Sequence, residues 1–193
     1  MDYPVSIDVE TPERLANWRP LVQWILAIPH LIIASALSQV QRVIAVISWF
    51  AIVFTGKLPA SLANFQVFII RYGLRATLYA GFLHDTYPPF AFDTTSEEPG
   101  GTPVSFSVRP ALTDRNRLTV GLRFIWMIPA AIYAVLIGIV GFLAWFAAFF
   151  AVLFTGRWPD SLRDWAMKSQ RVFARLNAYA NLLTDEYPPF ATN

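Results

Sequence analysis

Few side chains in this 193-residue sequence are of a type that does chemistry, and their placement narrows what chemistry is open. There is no cysteine, which excludes disulfides, thiolate metal sites and cysteine nucleophiles. The two histidines stand apart. His30 follows Ile28-Pro29 at the entrance to a long apolar block, a setting in which an imidazole could ligate a haem iron or a chlorophyll magnesium. A lone histidine beside a proline is more commonly structural, and that is how His30 reads. His84 immediately precedes Asp85. One hundred residues further on, the positions of the two histidines hold Ala130 and Thr184, so neither imidazole belongs to a repeated plan. No carboxylate lies inside either apolar block, where a proton or cation relay would need one. Zinc-protease, serine-hydrolase, P-loop and dinucleotide-binding signatures do not occur. Phe54-Thr55-Gly56 followed by Lys57, and Phe154-Thr155-Gly156 followed by Arg157, could bare backbone amides beside a cation and hold an anion. The simpler expectation is a helix C-cap, with Gly56 and Gly156 ending a helix and the basic residue snorkelling. The expectation is a protein that is not an enzyme and carries no cofactor or metal.

The elements that position these residues come in two copies. At an offset of 100, just under half of the positions from Phe50 to Ala91 are identical to Phe150 to Ala191. Arg71 and Arg75 recur as Arg171 and Arg175, and Asp85-Thr86-Tyr87-Pro88-Pro89-Phe90 recurs as Asp185-Glu186-Tyr187-Pro188-Pro189-Phe190. Pro4-Val5-Ser6 matches Pro103-Val104-Ser105 at an offset of 99, one small indel away. This is a tandem duplication. Residues 1–93 form the first unit, 94–101 a polar Gly/Pro/Ser/Thr linker, and 102–193 the second unit. Each unit opens with a brief alternating run that predicts a strand: Val5, Ile7, Val9 in one, Val104, Phe106, Val108 in the other.

The composition is that of a membrane protein: 55% hydrophobic residues, 15% charged, and a mean hydropathy of +0.44. The N-terminal residues have neither the basic nor the apolar region of a cleaved signal peptide. The second apolar block, Phe124 to Phe154, would be roughly 46 Å long as one helix, against about 30 Å of hydrocarbon. It must therefore be one steeply tilted helix or two short ones. The first block is interrupted by Ser38-Gln39-Val40-Gln41-Arg42, and the second carries Gly138 and Gly141, which would permit a turn. All Lys and Arg except Arg42 flank the blocks, and a hairpin in each copy puts these flanks on one side of the membrane. The favoured expectation is an all-α integral membrane protein. It has four short membrane helices in two hairpins and both termini cytoplasmic; two long tilted helices are the alternative.

After each FTG phrase a helix is expected, with Ser61 and Ser161 at the N-cap. Leu162, Trp165, Ala166, Val172, Phe173, Leu176, Tyr179, Ala180 and Leu183 follow the 3-and-4 spacing of one helix face. Arg163, Lys168, Arg171 and Arg175 fall mostly on the opposite side, as in an interfacial helix. Arg71, Arg75, Lys168, Arg171 and Arg175 are thus the expected contacts to anionic lipid headgroups, each contributing about 1 kcal/mol near the surface. The alternative, open on the sequence, is a helix packed on protein. The closing phrases, Asp85, Tyr87, Pro88, Pro89, Phe90 and Asp185, Tyr187, Pro188, Pro189, Phe190, read as a structural clasp, because paired prolines force an extended course off the helix.

Ile28-Pro29-His30, Trp49-Phe50-Ala51, Phe54-Thr55-Gly56, Pro59 and Asp85 to Phe90, with Ile128-Pro129, Phe154-Thr155-Gly156, Arg157, Pro159 and Asp185 to Phe190, form a specific combination. In these residues the chain resembles the bacterial domain-of-unknown-function family 4389, small membrane proteins in which the domain is often repeated. Ala130 in place of a histidine, and Leu58 and Trp158 in place of a tyrosine, depart from the family's pattern. The resemblance implies an architecture and no reaction, so it carries no catalytic residue across. The function expected is that of an accessory or scaffold subunit of a larger membrane complex, its partners the lipid bilayer and other membrane subunits rather than nucleic acid. A small transporter or channel of two parallel repeats, lined by Gln39, Gln41 and Arg42, is the alternative. A cofactor protein using His30 comes third.

Overall fold

The computed structural model describes residues 3–192 of the chain. Its elements run β1 (Val5–Val9), α1 (Arg19–Leu26), α2 (Ile28–Thr55), α3 (Ala60–Ala80), β2 (Val104–Val108), α4 (Arg117–Gly121), α5 (Arg123–Thr155) and α6 (Asp160–Ala180). The second half repeats the first. Pro20 and Pro29 occupy the first turns of α1 and α2, where a missing N–H costs nothing. Between them Ala27 keeps helical dihedrals (φ −76°, ψ −16°), so α1 passes into α2 almost without a break. In the second unit Asn116 caps α4, its side chain accepting from the amides of Leu118 and Thr119. Gly56 (φ 72°) and Gly156 (φ 67°) end α2 and α5 in the left-handed conformation, and each donates its amide back to Ile52 or Val152. The expected glycine C-cap is what the FTG phrase builds.

The expected hairpins are not formed: the 28 residues of α2 and the 33 of α5 each run as one helix without a reversal. Ser38, Gln39, Gln41 and Arg42 include no residue that stops a helix, and Gln41 is buried on the face that packs against the protein. Gly138 and Gly141 serve close packing instead of turning. A Cβ on Gly141 would collide with the Ser169 side chain, and one on Gly138 with the Phe173 ring. The glycines thus let α6 approach α5. The sharp reversal comes at the FTG phrase, so the hairpins that exist are α2 with α3 and α5 with α6. Ser61 and Ser161 also miss their expected place. Pro59 and Pro159 are the N-caps, without a side-chain bond, and the serines sit at the second helical position.

The two units are interlocked. β1 and β2 pair antiparallel with Ile7 opposite Phe106, its own counterpart in the duplication, and with Val5 opposite Val108 and Val9 opposite Val104. Such a pairing has a local two-fold axis along the sheet normal. The bonds around it are reciprocal: Glu10 donates to the Pro103 carbonyl and Arg109 to that of Pro4. Likewise the Leu15 amide donates to Gly156 and the Arg115 amide to Gly56. The end of each long helix therefore lies beside the start of the other, so α2 and α5 run in opposite directions.

Three layers result. The strands pack on α3 and α6, which in turn pack on α2 and α5. The core fills the middle: Val5, Ile7, Val104, Phe106 and Val108 from the sheet meet Val67, Ile70, Leu74, Leu78, Ala174 and Ala178 from the central helices. Ser6, Asp8, Ser105 and Ser107 point away from it and are exposed.

Candidate functional site

The closing phrase of each unit folds back onto the helices that begin the unit. In the first, Gln23 Nε2 donates to the His84 carbonyl (2.6 Å), and Arg19 donates to the Asp85 carbonyl (3.0 Å) with its guanidinium 3.7 Å from the Asp85 carboxylate. Pro88 is buried, while Tyr87 and Phe90 close over His30: the Phe90 ring stacks on the imidazole at 4.1 Å and Tyr87 meets it edge-on at 4.9 Å. His30 Nδ1 is bonded to the Tyr72 hydroxyl at 2.9 Å, and its Nε2 is enclosed without a hydrogen-bond partner among the described residues. His30 is 1% exposed. An aromatic box of Tyr72, Tyr87 and Phe90 surrounds the imidazole.

The second phrase is anchored through charge. Asp185 accepts from Arg115 Nε and Nη2 (2.7 and 2.6 Å) and from Arg123 Nη2 (2.5 Å). Arg123 also donates to the Tyr179 and Thr184 carbonyls and lies over the Tyr179 ring at 4.1 Å. Burial by itself would raise the Asp185 pKa, but the hydrogen bonds and charges of Arg115 and Arg123 outweigh it and hold the carboxyl below its usual range. Tyr187 packs edge-on against Tyr179 (5.6 Å), and Phe190 meets Tyr133 (5.3 Å). Pro188 is buried and Pro189 half-buried, whereas Pro89 is exposed. Sequence reasoning missed Arg19, Gln23, Arg115 and Arg123. A signal was present: Arg115 and Arg123 stand where the first unit has Leu15 and Gln23, a change from neutral to charged inside an otherwise repeated pattern. His84, the residue before the first phrase, is buried, and that lowers its pKa to about 4 against the raising influence of the neighbouring Asp85 carboxylate.

The basic residues expected at lipid headgroups divide. Arg71 and Arg75 are a correction: both are buried on α3 under the linker. Arg71 donates to the carbonyls of Glu97 (2.8 Å), Asp93 (2.9 Å) and Thr95 (3.1 Å), and Arg75 pairs with the Glu98 carboxylate. The linker, not lipid, takes their charge. On α6, Lys168 pairs with Asp164 (2.7 Å) and lies over Trp165. Arg171 and Arg175 are half-buried and line a groove with Tyr3, Pro4 and Arg109, beside the strands. The residues considered for a transport path do not converge either. Gln41 is buried, and Gln39 and Arg42 are exposed on other sides of α2, bonded to each other.

What remains unshielded is apolar. Trp18, Leu21, Trp24, Ile32, Val43, Ile47, Phe50 and Phe54 in the first unit are exposed, as are Phe124, Trp126, Ile132, Leu143, Phe146 and Phe154 in the second. Soluble monomers rarely expose a continuous patch of this extent. Two of the helices that carry it, Ile28–Thr55 and Arg123–Thr155, are long and apolar enough to cross a membrane.

Fold and surface together define a tandem-duplicated helical protein whose outer helices turn an apolar face outward. Residues 17–91 and 117–192 each match the family described as Domain of unknown function (DUF4389), and the chain belongs to that family, with the domain present twice. No curated protein and no solved structure matches it.

Proposed function

We propose that this chain is a membrane-associated, non-enzymatic protein that acts through lipid and protein contacts, as an accessory or scaffold subunit of a larger membrane assembly. The observation that carries the reading is the exposed apolar face of the outer helices, from Trp24 and Ile32 to Phe54 and from Phe124 to Phe154. Nothing in water stabilises such a face, whereas hydrocarbon or an apolar subunit does. The groups that could have been chemical are engaged in structure. His30 is boxed by aromatic rings, Asp185 is held by two arginines, and the Arg71 and Arg75 guanidiniums clamp the linker. The reading places the chain at the bacterial cytoplasmic membrane with its termini on the cytoplasmic side, where the basic residues meet anionic headgroups. Extraction in mild detergent followed by mass spectrometry of co-migrating chains tests it. One or more membrane subunits should co-migrate in stoichiometric amount. A chain recovered from the soluble fraction, or one that runs alone as a monomer after the mildest extraction, removes the proposal.

A further inference from the structure

The fold constrains how the apolar face can meet a bilayer. A two-fold axis along the sheet normal that reverses the direction of α2 into that of α5 must be perpendicular to both helices. The long helices therefore lie parallel to the plane of the sheet, and the sheet sits over the middle of the central layer. The midpoint of α3 carries Arg71 and Arg75, and the polar linker segment Asp93 to Glu98 is bonded across it. Opposite faces of α3 are involved. Phe65, Phe68, Ile69 and Tyr72 pack on Ile33, Ala34 and Leu37 of α2, while Val67, Ile70, Leu74 and Leu78 meet the sheet. Arg71 and Arg75 hold the linker along the flank between them. If α2 spanned the membrane, this linker and the exposed Ser6, Asp8, Ser105 and Ser107 would lie near the bilayer midplane. No backbone that open and polar survives there. Arg42, the midpoint of α2 and exposed, would also sit about 15 Å from either surface of a hydrocarbon layer roughly 30 Å thick.

We propose that the protein lies flat in one leaflet, its two-fold axis along the membrane normal, with α1, α2, α4 and α5 as an apolar raft in the acyl region and the sheet and linker in water. The charge pattern fits an anionic leaflet. No Asp or Glu occurs between Glu13 and Asp85 or between Asp114 and Asp160. With Arg19 and Arg123 paired to Asp85 and Asp185, the exposed charges on the raft are Arg42 and Arg117, and Lys57 and Arg157 stand at its ends. A helix lying about 5–10 Å below the surface keeps a snorkelling arginine within reach of phosphate. The proposal rests on the membrane reading above and adds that no helix crosses.

The absence of cysteine allows a direct test. Ile32, Val43 and Phe54 are eleven residues apart on one side of α2, and Ile132, Leu143 and Phe154 are their counterparts on α5; all six are exposed (58–76%). Single-cysteine variants at these positions carry a nitroxide, and depth is measured in vesicles of mixed phosphatidylethanolamine and phosphatidylglycerol. The expected result is one common depth, within about 5 Å, for all six, with a label at Ser105 in water. A spanning helix gives instead a profile deepest at Val43 and Leu143, offset from each end by about 16 Å at 1.5 Å per residue. That profile overturns the in-plane arrangement and leaves the membrane reading intact. Labels shielded from both water and lipid indicate a second protein on the raft, and overturn the leaflet as its partner. Failure to bind vesicles, with all six labels in water, overturns both readings.

Discussion

Asp85 and Asp185 begin the same six-residue phrase, yet their surroundings give them unequal weight. Substituting each by asparagine keeps the shape and removes the charge. Asp185 neutralises Arg115 and Arg123, whose side chains are 0% and 5% exposed, at 2.6 and 2.5 Å. Without it, two buried guanidiniums are left with backbone carbonyls and the Tyr179 ring as neighbours and no counter-charge from this carboxylate. Breaking a buried pair from one side costs about 3–5 kcal/mol, and since the Asp185 side chain is 27% exposed, water moderates the loss toward the lower end, about 3 kcal/mol. The Asp85 side chain is 47% exposed and its ion pair with Arg19 is 3.7 Å long, so Asp85→Asn should cost less than about 1 kcal/mol. Denaturant unfolding in one fixed detergent, followed by tryptophan fluorescence and far-ultraviolet circular dichroism, measures both. Comparable losses for the two variants, within 1 kcal/mol of each other, would refute the argument. Adding Arg115→Leu, the residue the first unit has at that position, to Asp185→Asn should recover part of the loss by removing one unpaired charge. Recovery should be incomplete, because Arg115 also serves the Ala111 and Leu182 carbonyls.

Three further outcomes are expected. The folded state holds His84 at a pKa of about 4 against about 6.5 when unfolded, so the unfolded chain binds the extra proton between those values. Stability should therefore fall by about 2 kcal/mol from pH 7 to pH 5 and level off below pH 4. His84→Thr, which copies the second unit, should flatten the fall in that window, and an unchanged slope on denaturant titration assigns it to other groups. Gly141→Ala should destabilise by about 1–3 kcal/mol through its collision with Ser169, and Ser169→Gly in the same chain should relieve the loss. If the double variant unfolds no later than the single one, Ser169 is not what Gly141 accommodates. Arg71→Met removes the donor to the Glu97, Asp93 and Thr95 carbonyls, so limited proteolysis within residues 93–101 should accelerate by at least tenfold while the helices stay intact. Unchanged cleavage means that the linker is held by other contacts.

The duplication, the strands, the glycine caps and the helices after FTG were all legible, because each rests on local residue chemistry repeated at a fixed offset. The hairpins were not, for a reason specific to α2. Ser38 to Arg42 reads as a polar break only if the helix is assumed to cross a membrane, and a helix lying along one can carry such residues on its sides and its inner face. Gly138 and Gly141 are similarly ambiguous, since a missing Cβ permits a turn and a close helix contact equally, and only the position of α6 distinguishes them. The helix position of Arg71 and Arg75 is visible in the sequence and points them toward lipid, while the return of the linker over them is a long-range contact that no local pattern marks. Phe82 (φ 49°) and Leu182 (φ 64°) end α3 and α6 in the left-handed region without glycine, and no sequence rule marks them. Their amides bond back to Tyr79 and Tyr179, and Phe82 stacks on Trp158 of the other unit (5.3 Å).

The symmetric pairing of β1 with β2 has an evolutionary consequence. Ile7 facing Phe106, with the reciprocal bonds of Leu15 to Gly156 and Arg115 to Gly56, is an isologous dimer interface enclosed in one polypeptide. One unit by itself has an unpaired strand edge and an uncovered turn, and association with a second copy meets both needs. Fusing two genes end to end makes that association intramolecular and independent of concentration. It also releases the halves from being identical: one keeps His30, Gln23 and Leu15 where the other has Ala130, Arg123 and Arg115, differences that a homodimer would have to make on both sides at once.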